Sequence, residues 1–160
     1  MKLTWFGGTT IRIHIGGAIL VVDVAGTPAG IDAAELVSGA DMIVERFGED
    51  LTSVDSVHWK PRRQPRLVDE TVGDAKVDAW RFESGGILID AIGEAPLLLL
   101  KDYEVSDLGH WAERAVVVLF GPDLRDRTEH MRDAVAPRLV ALAGDEGDID
   151  ETFAALDGRD

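Results

Sequence analysis

The chain has 160 residues, 46% of them hydrophobic, with a formal net charge of −14 and no cysteine. This length and composition suit one domain, residues 1–160, with a core of ordinary size, and argue against disorder. The charge predicts repulsion from nucleic-acid phosphates and anionic membranes, and the lack of thiols excludes disulfides, thiolate metal sites and thiol catalysis.

No apolar run approaches 18 residues, so no membrane span is expected. The first residues, Lys2-Leu3-Thr4-Trp5-Phe6, already alternate like a strand and show no signal-peptide pattern. With the missing cysteines, this fits a cytoplasmic protein.

Residues 2–6, 10–15 and 18–24 read as a three-strand meander, with Gly7-Gly8 and Gly16-Gly17 at the turns. Residues 10–15 alternate apolar and polar, as a half-buried strand does. Residues 18–24 are apolar almost throughout, which suits cover on both faces, and Asp23 ends the run. Asp32 stands as an N-cap, with Glu35 three residues on, for a helix over 33–37 that Gly39 closes. A short strand at 41–45, expected to be buried at Met42, Ile43 and Val44, runs into the loop that ends at Leu51. Residues 52–75 are the least regular and carry one short strand around 66–68.

After that, alternation over 76–83, a strand from Gly86 to Ala91 and a buried strand at 96–100 follow one another. A short helix is expected at 107–114, an apolar strand at 115–120, a charged amphipathic helix at 124–135, a strand at 138–142 and a last helix at 150–156. Hairpins fill the first half and a β-α-β unit the second. The class is therefore α/β (α+β), with stacked sheets and helices outside.

Several residue groups carry two readings. Lys60, Arg62, Arg63 and Arg66 form the one basic stretch, read either as a clamp for an acidic group or as a solvated loop paired with the chain's own acidic surface. The composition favours the second. His14, His58, His110 and His130 have no ligand spacing; His58, on the irregular stretch, is the best placed for function. Ser84 sits in Glu-Ser-Gly-Gly and reads as a turn residue, with no Gly-x-Ser-x-Gly in the chain. The glycine pairs form no nucleotide-binding motif. Trp5, Trp59, Trp80 and Trp111 read as packing. The four leucines at 97–100 fit a central strand between layers; an alternative is a face packed on another subunit.

The opening Met1-Lys-Leu-Thr-Trp-Phe-Gly7, the strands at 11–13 and 19–23, Leu36-Val-Ser-Gly-Ala-Asp41-Met-Ile-Val44, residues 97–102 and Pro137-Arg-Leu-Val-Ala-Leu142 occur in an order that resembles the metallo-β-lactamase superfamily. The nearest branch is the small metal-dependent hydrolases that include the ascorbate-phosphate lactonase-like proteins. The resemblance runs through 1–45 and 86–144 and is vague at 52–80. It implies a four-layered αββα sandwich, reduced in size, with the site at one edge of the two sheets.

The resemblance also implies a His-x-His-x-Asp-His loop holding one or two zinc ions, with a metal-held hydroxide attacking an ester, lactone or phosphodiester. Laid on this chain, the three loop histidines fall on Arg46, Gly48 and Leu51, and the motif's aspartate on Asp50. The later bridging aspartate falls on Asp102, after Lys101 where glycine is usual. The last histidine falls on Gly144 and an extra one on Gly8, and no histidine lies near 77–82. Two carboxylates without imidazoles do not make a catalytic zinc site, so zinc is expected to be lost, with Arg46 and Lys101 replacing its charge and pairing with Asp50 and Asp102.

The expected function is that of a metal-free, non-catalytic homologue acting as a small-ligand-binding or assembly protein. Its vestigial pocket is formed by Arg46, Gly48, Asp50, Leu51, Lys101, Asp102 and Gly144. A small polar ligand and a homo-oligomer are the partners that fit. The alternative is a hydrolase of an ester, lactone or phosphodiester, with a rebuilt site in which Asp50 or Asp102 is the base and an arginine stabilises the oxyanion.

Overall fold

The computed structural model describes residues 1–62, 77–83, 85–102 and 108–158. β1 (Lys2–Gly7), β2 (Thr10–Ile15) and β3 (Ala18–Val22) form an antiparallel meander. Gly16 and Gly17 take φ of 56° and 76°, the pair of positive values that a two-residue type I′ turn requires. α1 (Ala33–Leu36) starts on Asp32, whose carboxylate accepts from the Ala34 amide at 2.9 Å. β4 (Met42–Val44) then pairs parallel to β3 and completes a sheet of order β1-β2-β3-β4; as an edge strand it buries Val44 but leaves Ile43 exposed, against the expectation of a buried strand.

The second sheet has the order β5-β6-β7-β8-β9. Its strands are β5 (Val77–Arg81), β6 (Ile87–Ala91), β7 (Leu97–Lys101), β8 (Val116–Phe120) and β9 (Leu139–Ala143). The first three pair antiparallel and the last three parallel. α2 (Leu124–Ala134) connects β8 to β9, and α3 (Glu146–Asp157) packs against it. The chain is thus mixed α+β, with two mixed sheets.

Alternation along the strands builds two apolar layers. Ile11, Ile13, Leu20 and Val22 of the first sheet meet Ile87, Ile89, Leu97, Leu99 and Phe120 of the second. On the other face of the second sheet, Leu88, Leu98, Leu100, Val117 and Leu119 pack with Trp111, Leu124 and Met131. The leucines of β7 therefore divide between the two layers, and all four are fully buried. This is the central-strand reading of that run. On the far face of the first sheet, Arg12 donates from Nη1 to the Leu36 carbonyl and from Nη2 to that of Ser38 at 2.8 Å. It thereby ties the end of α1 to the strands.

Some boundaries differ from expectation. The strand expected to reach residue 24 stops at Val22, because Asp23 takes φ 60° and starts a 3-10 turn, Val24–Gly26. The helix expected at 107–114 is a 3-10 turn, His110–Arg114. α3 begins at Glu146 instead of 150. Glu146 and Asp148 sit in its first turn, where the helix dipole favours negative charge. The strand expected around 66–68, Ser84 and Asp107 lie outside the described residues.

Residues 52–62 cover the second sheet. Ser53 bridges to Arg81, and the Arg81 amide donates to the Thr52 carbonyl at 3.0 Å. Trp59 stacks edgewise on Trp80 and Trp111, with centroids 6.0 and 4.8 Å away. Trp111 donates from Nε1 to the Ser56 carbonyl at 2.8 Å. Arg62 pairs with Asp78, and its amide donates to the buried Asp90 at 3.1 Å. The described end of the basic stretch thus serves the chain's own acidic groups.

Candidate functional site

Both ends of β4 are fixed by hydrogen bonds to β3 and the turn after it. The Asp41 amide donates to the Ile19 carbonyl and the Ile19 amide to the Asp41 carboxylate, each at 2.8 Å. Beyond the strand, the amides of Asp23 and Ala25 donate to the carbonyls of Val44 and Glu45, each at 2.8 Å. Asp23 also accepts from Thr9 on its carboxylate and from Thr10 on its carbonyl. The segments after β1, β3 and β4 therefore meet at one aspartate.

The loop that follows lies across the ends of the strands. Phe47 and Leu51 pack on the layer between the sheets. Phe47 meets Phe120, the last residue of β8, edge to face at 6.0 Å. The loop after β4 and the end of β8 thus share one edge of the molecule.

A cavity of about 550 Å³ opens beside this loop, between residues 47–52 on one side and Arg81, Phe82 and Gly85 on the other. Gly48, Asp50 and Leu51 line it, whereas Arg46, Lys101, Asp102 and Gly144 do not. Arg81, which motif reasoning did not select, is held by a bond of 3.1 Å from Nε to the Leu51 carbonyl. The signal that would have found it is its charge at the end of an alternating strand facing an irregular stretch.

The pairing of Arg46 with Asp50 and of Lys101 with Asp102 does not form. Arg46 is exposed, and its Nη1 lies 3.9 Å from Glu49, the carboxylate three residues on. The cation beside Asp102 is Arg127, on α2. Its guanidinium donates to the carbonyls of Phe120 and, at 3.0 Å, Leu100. Burial lowers the pKa of Arg127, while the charges of Asp102, Asp123 and Asp148 pull it back up; the group remains a cation. Arg127 thus joins the ends of β7 and β8 through the carbonyls of Leu100 and Phe120, which a helical arginine in a charged amphipathic run does not announce in sequence.

These residues do not fit zinc. Gly144, which supplies no ligand, is closely covered: a Cβ there would stand 2.8 Å from Leu124 Cδ1 and 3.1 Å from the Gly121 carbonyl. Asp50 and Asp102 do not line a common cavity. Among the described residues, no three of His, Asp and Glu converge in a metal-binding arrangement.

The remaining candidates are local. His58 Nδ1 lies 2.7 Å from Asp55 Oδ2 on an exposed turn. The Asp55 carboxylate also accepts from the amides of Val57 and His58. Its pKa is lowered, first by the His58 side chain and then by those amides. His110 pairs with Glu113 at 3.0 Å, and Arg12 Nε reaches His14 at 3.5 Å.

No family model, no curated protein and no solved structure matches this chain.

Proposed function

We propose that the chain is a metal-free homologue of the metallo-β-lactamase-fold hydrolases, a reduced αββα sandwich that binds a small polar ligand without turning it over. Support for the fold is the meander-first sheet facing a second sheet that ends in parallel strands, with the loop after β4 lying over the end of β8. The observation that carries the function is the cavity of about 550 Å³ beside that loop, a size in the range of small-molecule sites. It brings a carboxylate, Asp50, and a guanidinium, Arg81, to one opening. Arg81 uses Nε on Leu51, which leaves its two terminal amino groups to meet a carboxylate or phosphate. Asp50 would meet a hydroxyl or amine on the same ligand.

In the hydrolase reading Asp50 or Asp102 is the base beside an arginine, and of the two carboxylates Asp50 lines the cavity, together with Arg81. Calorimetric titration with inorganic phosphate, small hydroxy acids and sugar phosphates tests the binding reading. Binding by the wild type that is lost in Arg81→Ala and weakened in Asp50→Ala is expected. Turnover of an ester, lactone or phosphodiester, with or without added zinc or manganese, that Asp50→Ala or Asp102→Ala abolishes would establish the hydrolase instead.

A further inference from the structure

We propose that β9 is the meeting edge of two copies of this chain, each pairing antiparallel with the other's β9 about a two-fold axis near Ala141. β9 is the last strand of its sheet, and the described residues place no strand beyond it. A free strand edge is adhesive, and proteins blunt such edges with charge, proline, a bulge or brevity. The other three edges carry these devices. β1 bears Lys2 and a register shift between Trp5 and Gly7, and β4 has three residues. β5 bears Asp78 and Arg81, and its end is bridged by Ser53. β9 reads Leu-Val-Ala-Leu-Ala, with no charge, no proline and an unbroken register against β8.

The charges at its two ends specify a second copy as the partner. Arg138 precedes the strand and Asp145 and Glu146 follow it, all exposed. The described structure gives none of the three an ion pair. A strand that is positive at its start and negative past its end complements its own image when the image runs the other way.

The backbone allows that register. The Gly121 amide donates to the Ala143 carbonyl, and alternation in a parallel ladder then turns the amide groups of Val140 and Leu142 away from β8. Centred on Ala141, Val140 stands opposite Leu142 of the second copy, and the two exchange both N–H···O bonds. Arg138 comes beside Gly144 and Asp145 of the second copy at each end. Leu139, 56% exposed in the single chain, is covered in the pair. The two five-stranded sheets become one continuous sheet.

Sedimentation equilibrium on the full chain tests this. The wild type is expected to associate reversibly to twice 17.3 kDa. Leu139→Lys and Arg138→Asp, both at exposed positions, should each keep the circular dichroism of the wild type. Leu139→Lys is expected to weaken association by about tenfold or more, the scale of one buried leucine. The double variant Arg138→Asp with Asp145→Lys should restore the dimer that Arg138→Asp loses. A wild type that stays monomeric through the concentration series would overturn the proposal. So would a dimer indifferent to Leu139→Lys and Arg138→Asp, or a charge swap that restores nothing.

Discussion

The ring of Phe47 stands edge-on to the ring of Phe120, at 79° and 6.0 Å between centroids. One belongs to the loop after β4 and the other ends β8, so this contact seats the loop of one sheet on a strand end of the other. It lies beside the cavity and closes the layer between the sheets. Phe47→Ala removes the contact and leaves a void. It is expected to cost about 2 kcal/mol, below the usual range for a fully buried phenylalanine because the ring is only half-buried. Urea unfolding measures it, and ligand binding in the cavity should weaken with it.

Arg127 holds two strand ends by their carbonyls, a task that needs a planar fork of donors. Arg127→Met leaves those carbonyls unpaired, and a loss of about 3 kcal/mol is expected from two charge-assisted bonds. Arg127→Lys should recover less than half of it, because an ammonium cannot reproduce the fork. Chemical denaturation of the three proteins side by side checks both statements. Equal stability of Arg127→Lys and wild type would remove the argument from geometry.

Asp102 has φ 55°, in the left-handed region that side chains other than Asn and Asp rarely occupy. Asp102→Ala is expected to destabilise by about 1 kcal/mol, and Asp102→Gly to leave stability unchanged within a few tenths, since glycine reaches that conformation freely. The pair separates backbone cost from charge: if loss of the carboxylate beside Arg127 is what matters, the glycine variant suffers as much as the alanine one. Thermal melts of both variants decide between the two.

Asp55 organises the exposed turn through Val57 and His58 by accepting their amides. Because its folded pKa lies below the unfolded value, the ionised form holds the turn. Its contribution is present above the unfolded value, about pH 4, and disappears as pH falls through the lower folded value. Amide exchange at Val57 and His58 should therefore show protection that fades in acid below about pH 4. Asp55→Asn should lose the step, with the rest of the chain unaffected.

Most of the scaffold was legible because its period was. Strict alternation in Thr10 to Ile15, glycine pairs at the turns and the Asp32 cap all act locally, and the structure uses each as the sequence implies. The unbroken leucines of β7 announced a strand covered twice. What failed to show was long-range. Arg127 looks like one more solvent-facing charge on an amphipathic helix, and only the fold brings the carbonyls of Leu100 and Phe120 within its reach. The resemblance set Arg46 where a metal ligand would stand, but its side chain is exposed and lies 3.9 Å from Glu49, three residues on. Arg81 joined the cavity only because residues 51–54 lie along the end of β5, a pairing that no periodicity in that irregular stretch encodes.

Of the chain's four tryptophans, Trp59, Trp80 and Trp111 touch one another on the outer side of the second sheet, while Trp5 stands exposed on β1. The ultraviolet emission of the molecule therefore watches one half of it. Loosening of the second sheet should shift and dim the light of three rings at once, whereas the meander reports through Trp5 alone. A folding record taken by fluorescence and one taken by far-ultraviolet dichroism need not coincide, and any lag between them would time the packing of the outer layer on the second sheet.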